Sequence, residues 1–348
     1  MKPLCKLSSI IAFVACVSSY GSLAATSIVG SIKGDTVHWD DAKVERGYVL
    51  SQGYEPMGNL PYSKEWVAGI ATIPTSVTLT NEGGDSAIVS LSAAGGALHY
   101  SHASQSSANH SQNSTLCDAE QLSASNYTVV SKAAQRCYGS KKVILAEAKQ
   151  PFNYIQPMVK FTNLIADFKS KPAGIYTGTM TVLYSYGFKN GAGAFTYRDI
   201  PVTQNIIISH MPAFIDSVDV NNSTLVLDPE IDASGNLYSN NDVKVTVNGV
   251  MGKSLQLYVP DRSYELIDSA SKAQPIPLDI VCTSGCNNTP LVSDGFVTNK
   301  SINIDTSSSR GNSSYDFNLE FSYLINNSSI EEGTFRNDFY FIVELPVQ

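Results

Sequence analysis

His99, His102 and His110 lie within twelve residues of one another, and imidazoles at that spacing could ligate a zinc ion. A closed site needs four ligands in a fixed frame. No Cys or carboxylate stands between these three, and the stretch from Ser92 to Asn126 is so rich in Ala, Ser, Asn and His that it reads as a long solvated loop. Cys282-x-x-x-Cys286 offers two thiolates but no second ligand pair nearby. The segment Asp232 to Asn236 has the outline of a calcium loop without the alternate acids and terminal Glu that calcium requires, so it reads as a turn. We expect no metal and no cofactor.

Hydrolytic chemistry is no better supplied. A nucleophilic serine needs a base, an acid and a sharp turn of the G-x-S-x-G kind, and that pattern occurs nowhere in the chain. His38 beside Asp40 and Asp41 is the nearest approach to a catalytic patch; at the start of a candidate strand it reads as structural. Asp40-Asp41 and Glu331-Glu332 look like solvated turns and not like paired glycosidase carboxylates. No catalytic residue is assigned, and the chain is expected not to be an enzyme.

The 348 residues carry 23 basic and 31 acidic side chains, a net charge of −8. Lys2 and Lys6 precede an apolar run from Leu7 to Val17 and the small residues Ser22-Leu23-Ala24-Ala25, the order of a secretory signal peptide over residues 1–25. Its removal would take both lysines and leave the mature chain near −10, a surface poorly matched to phosphate backbones, so nucleic acid is excluded as a partner. Removal also takes Cys5 and Cys16 and leaves four thiols, which in an exported chain read as two disulfides. Three pairings are possible. Proximity in sequence favours Cys117 with Cys137 and Cys282 with Cys286.

The elements that must position these residues are strands. Helical periodicity with capping signals is absent, whereas period-two alternation recurs, which makes the chain all-β. Val243, Val245 and Val247 alternate with polar neighbours, as do Leu255, Leu257 and Val259, then Phe317, Leu319, Phe321 and Tyr323, and finally Phe339, Phe341, Val343, Leu345 and Val347. Turn clusters at residues 233–236 and 309–312 separate them, the pattern of a sandwich of short strands. Upstream, the candidates are Ser76 to Thr80, Ala87 to Leu91, Met158 to Leu164, Ile175 to Tyr186 and Val202 to Ile208. The length suggests two domains. We expect an N-terminal β-sandwich domain over 26–210, a linker over 211–214 at Met211-Pro212, and a C-terminal β-sandwich domain over 215–348. Sequons at Asn113, Asn126, Asn222, Asn287, Asn312 and Asn327 follow from the Ser, Thr and Asn content.

The run Pro172-Ala-Gly-Ile-Tyr-Thr-Gly-Thr-Met-Thr-Val-Leu-Tyr-Ser-Tyr-Gly, a turn, Phe195-Thr-Tyr-Arg-Asp-Ile-Pro-Val and a strand closing on Met211-Pro212-Ala-Phe214 resembles the end of the adhesin domain in tip minor pilins of chaperone–usher fimbriae. It is most similar to the alternate class, the tip subunits of colonisation-factor and cable-type pili. The resemblance implies a receptor-binding adhesin domain followed by an incomplete immunoglobulin-like pilin domain. A strand supplied first by a periplasmic chaperone and then by the major pilin subunit would fill the gap during assembly at the outer-membrane usher. The site implied for that strand is the face carrying Phe339, Phe341, Val343 and Leu345. The chain runs only three residues past Leu345, so no further strand is expected to close the fold. Thr26 to Gly34 supplies only Ile28, Val29 and Ile32, broken by glycines, and is expected not to act as a donor; that makes the chain a tip acceptor.

Two features depart from the family. Its receptor-binding basic pair would fall near Ser185, Tyr186 and Gly187, and the nearest basic residues are Lys189 and Arg198. We therefore expect Tyr184, Tyr186, Lys189 and Arg198 to meet a host-surface glycan or protein receptor. The terminal signature of the better-known class is also missing, since Gly333 sits sixteen residues from the end and the penultimate residue is Val347. The chain is expected to pass through the periplasm to the cell surface, at a fimbrial tip. The alternatives are another secreted β-sandwich binding protein or a secreted hydrolase.

Overall fold

A computed structural model describes residues 26–101, 106–110, 115–132, 135–270, 273–307, 313–326, 328 and 330–346. The leader, His102, the turn at 309–312, the sequons at Asn113, Asn312 and Asn327, and Val347 lie outside the described residues. The fold is all-β; among the described residues there is one short helix, Leu164–Phe168, which docks Leu164 and Phe168 in the core.

Two sheets enclose the first core. In one, Ser27–Lys33 lies parallel to Phe195–Met211, which forms a long antiparallel hairpin with Gly174–Lys189. Gly174–Lys189 in turn pairs with Ser63–Thr72. In the other sheet the long strand Ser86–His99 lies between Asn126–Ser131 and Tyr154–Phe161. Between the sheets lie Trp66, Tyr127, Phe152, Phe168, Tyr176 and their aliphatic neighbours, all fully buried. Ile28 and Ile32 belong to this core, so the segment expected not to donate a strand is built into its own sheet.

The loop expected from Ser92 to Asn126 is corrected here. Ser86–His99 runs unbroken through it, and Ser106–Asn109 and Ala119–Leu122 also form ladders. The small residues from Ala93 to Ala97 hide any apolar alternation, yet they are required: Gly96 lies under the Tyr184 ring, where an added Cβ would come within 2.7 Å of a ring carbon.

Beyond Met211 the chain builds a second core with its own sheets. Phe214–Val220, Asn236–Val250, Ser314–Asn326, Asp279–Ser284, Thr289–Ser293 and Phe296–Val297 lie side by side in that spatial order. Ser254–Tyr258 pairs with Ser301–Asp305 on one side and with Ile342–Glu344 on the other. The alternating residues Val243, Val245, Val247, Leu255, Leu257, Val259, Phe317, Leu319, Phe321 and Tyr323 are all buried in it. Among the described residues, no ladder joins the strands before Met211 to those after it.

Candidate functional site

The long hairpin turns at Asn190, whose Oδ1 accepts from the amides of Ala192 and Ala194, each at 3.0 Å. Along Gly174–Lys189, Val182, Tyr184, Tyr186 and Phe188 share one face by period-two geometry, and all four point into the core. Tyr184 is 1% exposed and donates its hydroxyl to the Gly95 carbonyl at 2.6 Å. Tyr186 is fully buried, edge-on to Phe152 at 5.2 Å. The expectation that these two tyrosines meet a receptor is therefore corrected, because neither side chain reaches the surface. Lys189 and Arg198 are exposed. Lys189 Nζ lies 3.0 Å from Glu65, which also holds Lys142 at 2.6 Å, and the two ammonium groups keep the Glu65 carboxyl below its usual range. Arg198 donates to the Asn59 carbonyl at 3.3 Å.

Sequence reasoning missed the cation that organises this surface. Arg136 grips both carboxylate oxygens of Asp199 at 2.6 Å and reaches Ser185 Oγ at 3.0 Å. Asp199 is drawn below its ordinary carboxylate range, first by the Arg136 hydrogen bonds and then by Ser185. The Tyr138 ring lies tilted against Tyr197, centroids 4.7 Å apart, beside this cluster. Arg136 precedes Cys137, which is bonded to Cys117, so the disulfide and the ion pair together fasten this segment across the hairpin. The only hint in the sequence was a lone Arg beside a half-cystine.

The second core is left uncovered along one line. Ile342–Glu344 pairs with Ser254–Tyr258 on one side, and among the described residues it has no strand on the other. Phe339, Phe341, Val343 and Leu345 face inward but are only half-buried, whereas Tyr340, Ile342 and Glu344 are exposed. Phe339 and Phe341 stack on Tyr264 at 5.3 and 6.1 Å. Residues 225–229 join no ladder, and Leu225 and Leu227 are half-buried against the same cluster. Phe321 and Tyr323 of Ser314–Asn326 belong to the cluster between these flanks. Phe321 lies 6.5 and 6.2 Å from Phe339 and Phe341, and the Tyr323 phenol is pushed up by burial and then by Asp228. Among the described residues, fourteen half-buried apolar side chains lie on twenty-one buried ones here, against eleven on thirty-six in the first core. Cys282 is bonded to Cys286 at the far side of this sheet, next to the Ser314–Asn326 ladder.

Among the described residues no group of three or more metal-ligating side chains is assembled.

No family model and no curated protein matches the chain. Among solved structures it is similar to CfaE, the adhesive subunit of the CFA/I fimbria of enterotoxigenic Escherichia coli, at 10% identity over 92% of this chain and 96% of that one, with a TM-score of 0.31. It is also similar to a chain of the chaperone–tip adhesin complex of CFA/I fimbriae biogenesis, at 11% identity over 93% and 97%, with a TM-score of 0.34. A third likeness, to the M60 catalytic domain with two CBM51 domains of Clostridium perfringens ZmpB, has 9% identity, covers 90% of this chain and 46% of that one, and has a TM-score of 0.13.

Proposed function

We infer that this chain is a fimbrial tip adhesin of the chaperone–usher type, with a receptor-binding unit over 26–210, a linker over 211–214 and a strand-accepting pilin unit over 215–348. The observation that carries this reading is the strand Ile342–Glu344, which among the described residues is paired on one side only and whose inward apolar neighbours are half-buried. An extended partner with alternating apolar residues would pair its backbone with that free edge and bury the row Phe339, Phe341, Val343 and Leu345. Left open, such an edge invites aggregation. The sequence resemblance to tip minor pilins and the secretory leader support the same reading. Ser27–Lys33 supports the tip position, since it is held in its own sheet and is not free to donate.

The periplasmic chaperone is the first occupant, the major pilin subunit the second, and the usher the platform on which they exchange. The test is export of the full chain with and without a chaperone of this type. Alone, it should aggregate or be degraded; with the chaperone, or with a donor strand fused after Gln348, it should be soluble. A stable soluble monomer in the absence of both would overturn the reading.

A further inference from the structure

The outer face of the second sheet of the N-terminal unit carries a trough. Register places Asn126, His99 and Tyr154 in one row across three strands, and Thr128, Ala97 and Gln156 in a parallel row two residues along. From Ala97 back to Ala93 the middle strand offers only small residues to this face while both neighbours offer larger ones, so beyond His99 the centre is low and the sides are high. Ala93 and Ala97 form an apolar floor with Leu50, Val130 and Met158, a cluster separate from the main core. The space above is a cavity of about 220 Å³. Arg46 NH1 donates to Gln121 Oε1 at 2.8 Å across its rim, joining segments 75 residues apart.

At one end of the trough, His99 Nε2 and Asn126 Oδ1 are closed off from solvent; the imidazole faces the side chains of Asn126 and Gln156, but neither atom completes a hydrogen bond of full geometry. Buried polar atoms are seldom left so. A hydroxyl can satisfy both, donating to the Asn126 oxygen while meeting the imidazole nitrogen as donor or acceptor. Beside this end Tyr54 packs edge-on to His99 at 4.8 Å and lies 6.4 Å from Tyr154, both tyrosines about half-exposed. The rim carries Glu45 and Glu120 against the single cation Arg46, which disfavours an anion. The volume is below the roughly 300–1,000 Å³ of sites for drug-sized ligands, so it suits one small ring.

We propose that this trough binds a neutral saccharide, with one sugar ring seated on Ala97, its hydroxyls on His99 and Asn126, and the next residue against Tyr54 and Tyr154. The site gives the adhesin reading its ligand class and rests on that reading for its biological meaning. It lies on the opposite sheet from Lys189 and Arg198, the basic residues of the hairpin.

The test applies the full exported chain to an array of neutral oligosaccharides and their sialylated counterparts, then titrates the best binder into variants. A neutral saccharide should bind, and Asn126→Ala, His99→Ala and Ala97→Leu should each weaken it about tenfold or more. Gly191→Ala, where an added Cβ meets nothing within 4 Å, should leave it unchanged. If Ala97→Leu does not fold, the two polar truncations decide. Binding only to sialylated glycans, binding to none, or full affinity in Asn126→Ala and His99→Ala would overturn the proposal. A chain captured by the chaperone yet blind to neutral saccharides would sink the trough and spare the adhesin reading, and saccharide binding without chaperone capture would do the reverse.

Discussion

At the scale of single residues, the N-terminal unit depends on small side chains meeting large ones. Gly96 leaves room for the Tyr184 ring, and Tyr184 returns a hydrogen bond to the neighbouring Gly95 carbonyl. The ring is enclosed and hydrogen-bonded, so it cannot move aside at low cost. Gly96→Ala should therefore destabilise the unit by about 1–3 kcal/mol, read as a lowered denaturation midpoint. Gly191→Ala is the control, because an added Cβ there meets nothing within 4 Å. Equal effects from the two would show that the ring can yield. The burial of Tyr184 and Tyr186 was legible in the sequence, since both fall in step with Val182 and Phe188. It was overlooked because the family resemblance drew attention to those positions as a contact surface. Arg136 was not legible, because its partner Asp199 lies 63 residues away and only the fold brings them together.

At the scale of elements, the segment from Phe339 to Leu345 shows both what alternation reveals and where it stops. Its period-two pattern places Phe339, Phe341, Val343 and Leu345 inward and Glu344 outward, and the side chains are so arranged. The ladder covers only Ile342–Glu344, however, and among the described residues it has a neighbouring strand on one edge alone. Phe341→Asp or Val343→Asp would bury an unpaired charge once a partner strand closed the groove, a cost of several kcal/mol. Glu344→Lys stays in solvent. Chaperone co-purification from periplasm should thus be lost for the two aspartates and kept for the lysine, and the opposite pattern would mean the wrong face has been assigned to the donor. The same alternation made Ser76–Thr80 and the strands around 243–247, 255–259 and 317–323 readable. It failed from Ala93 to Ala97, where alanine and glycine on both faces leave no contrast between core and solvent. That blank stretch is the floor of the trough, so the candidate saccharide site was hidden by the feature that shapes it.

At the scale of the whole molecule, the two units respond differently to acid because their titratable groups are distributed unequally. All five histidines precede Met211, so between neutral pH and the carboxylate range the imidazoles of the N-terminal unit are the side chains that take up protons. His99, His110 and His210 are each held below the ordinary imidazole value of 6.5, chiefly by burial. His210 packs against Phe168 at 5.1 Å, and its Nε2 lies 3.1 Å from the Lys171 carbonyl, a contact that a neutral ring already satisfies. As pH falls through 6.5 the unfolded chain binds these protons before the folded one does, so the stability of the N-terminal unit is full above that value and declines below it. Glu65 and Asp199, whose carboxyls are depressed by Lys142 and Arg136, add a second loss only below their ordinary values of 4.5 and 3.8. The C-terminal unit has no histidine. Calorimetry of the strand-complemented full chain between pH 7 and 5 should show the N-terminal transition moving to lower temperature while the C-terminal one stays in place. Replacing His210 with Gln should shrink that movement. Transitions that shift together would show that the units unfold as one, and an immobile N-terminal transition would show that its buried imidazoles take up no extra proton on unfolding.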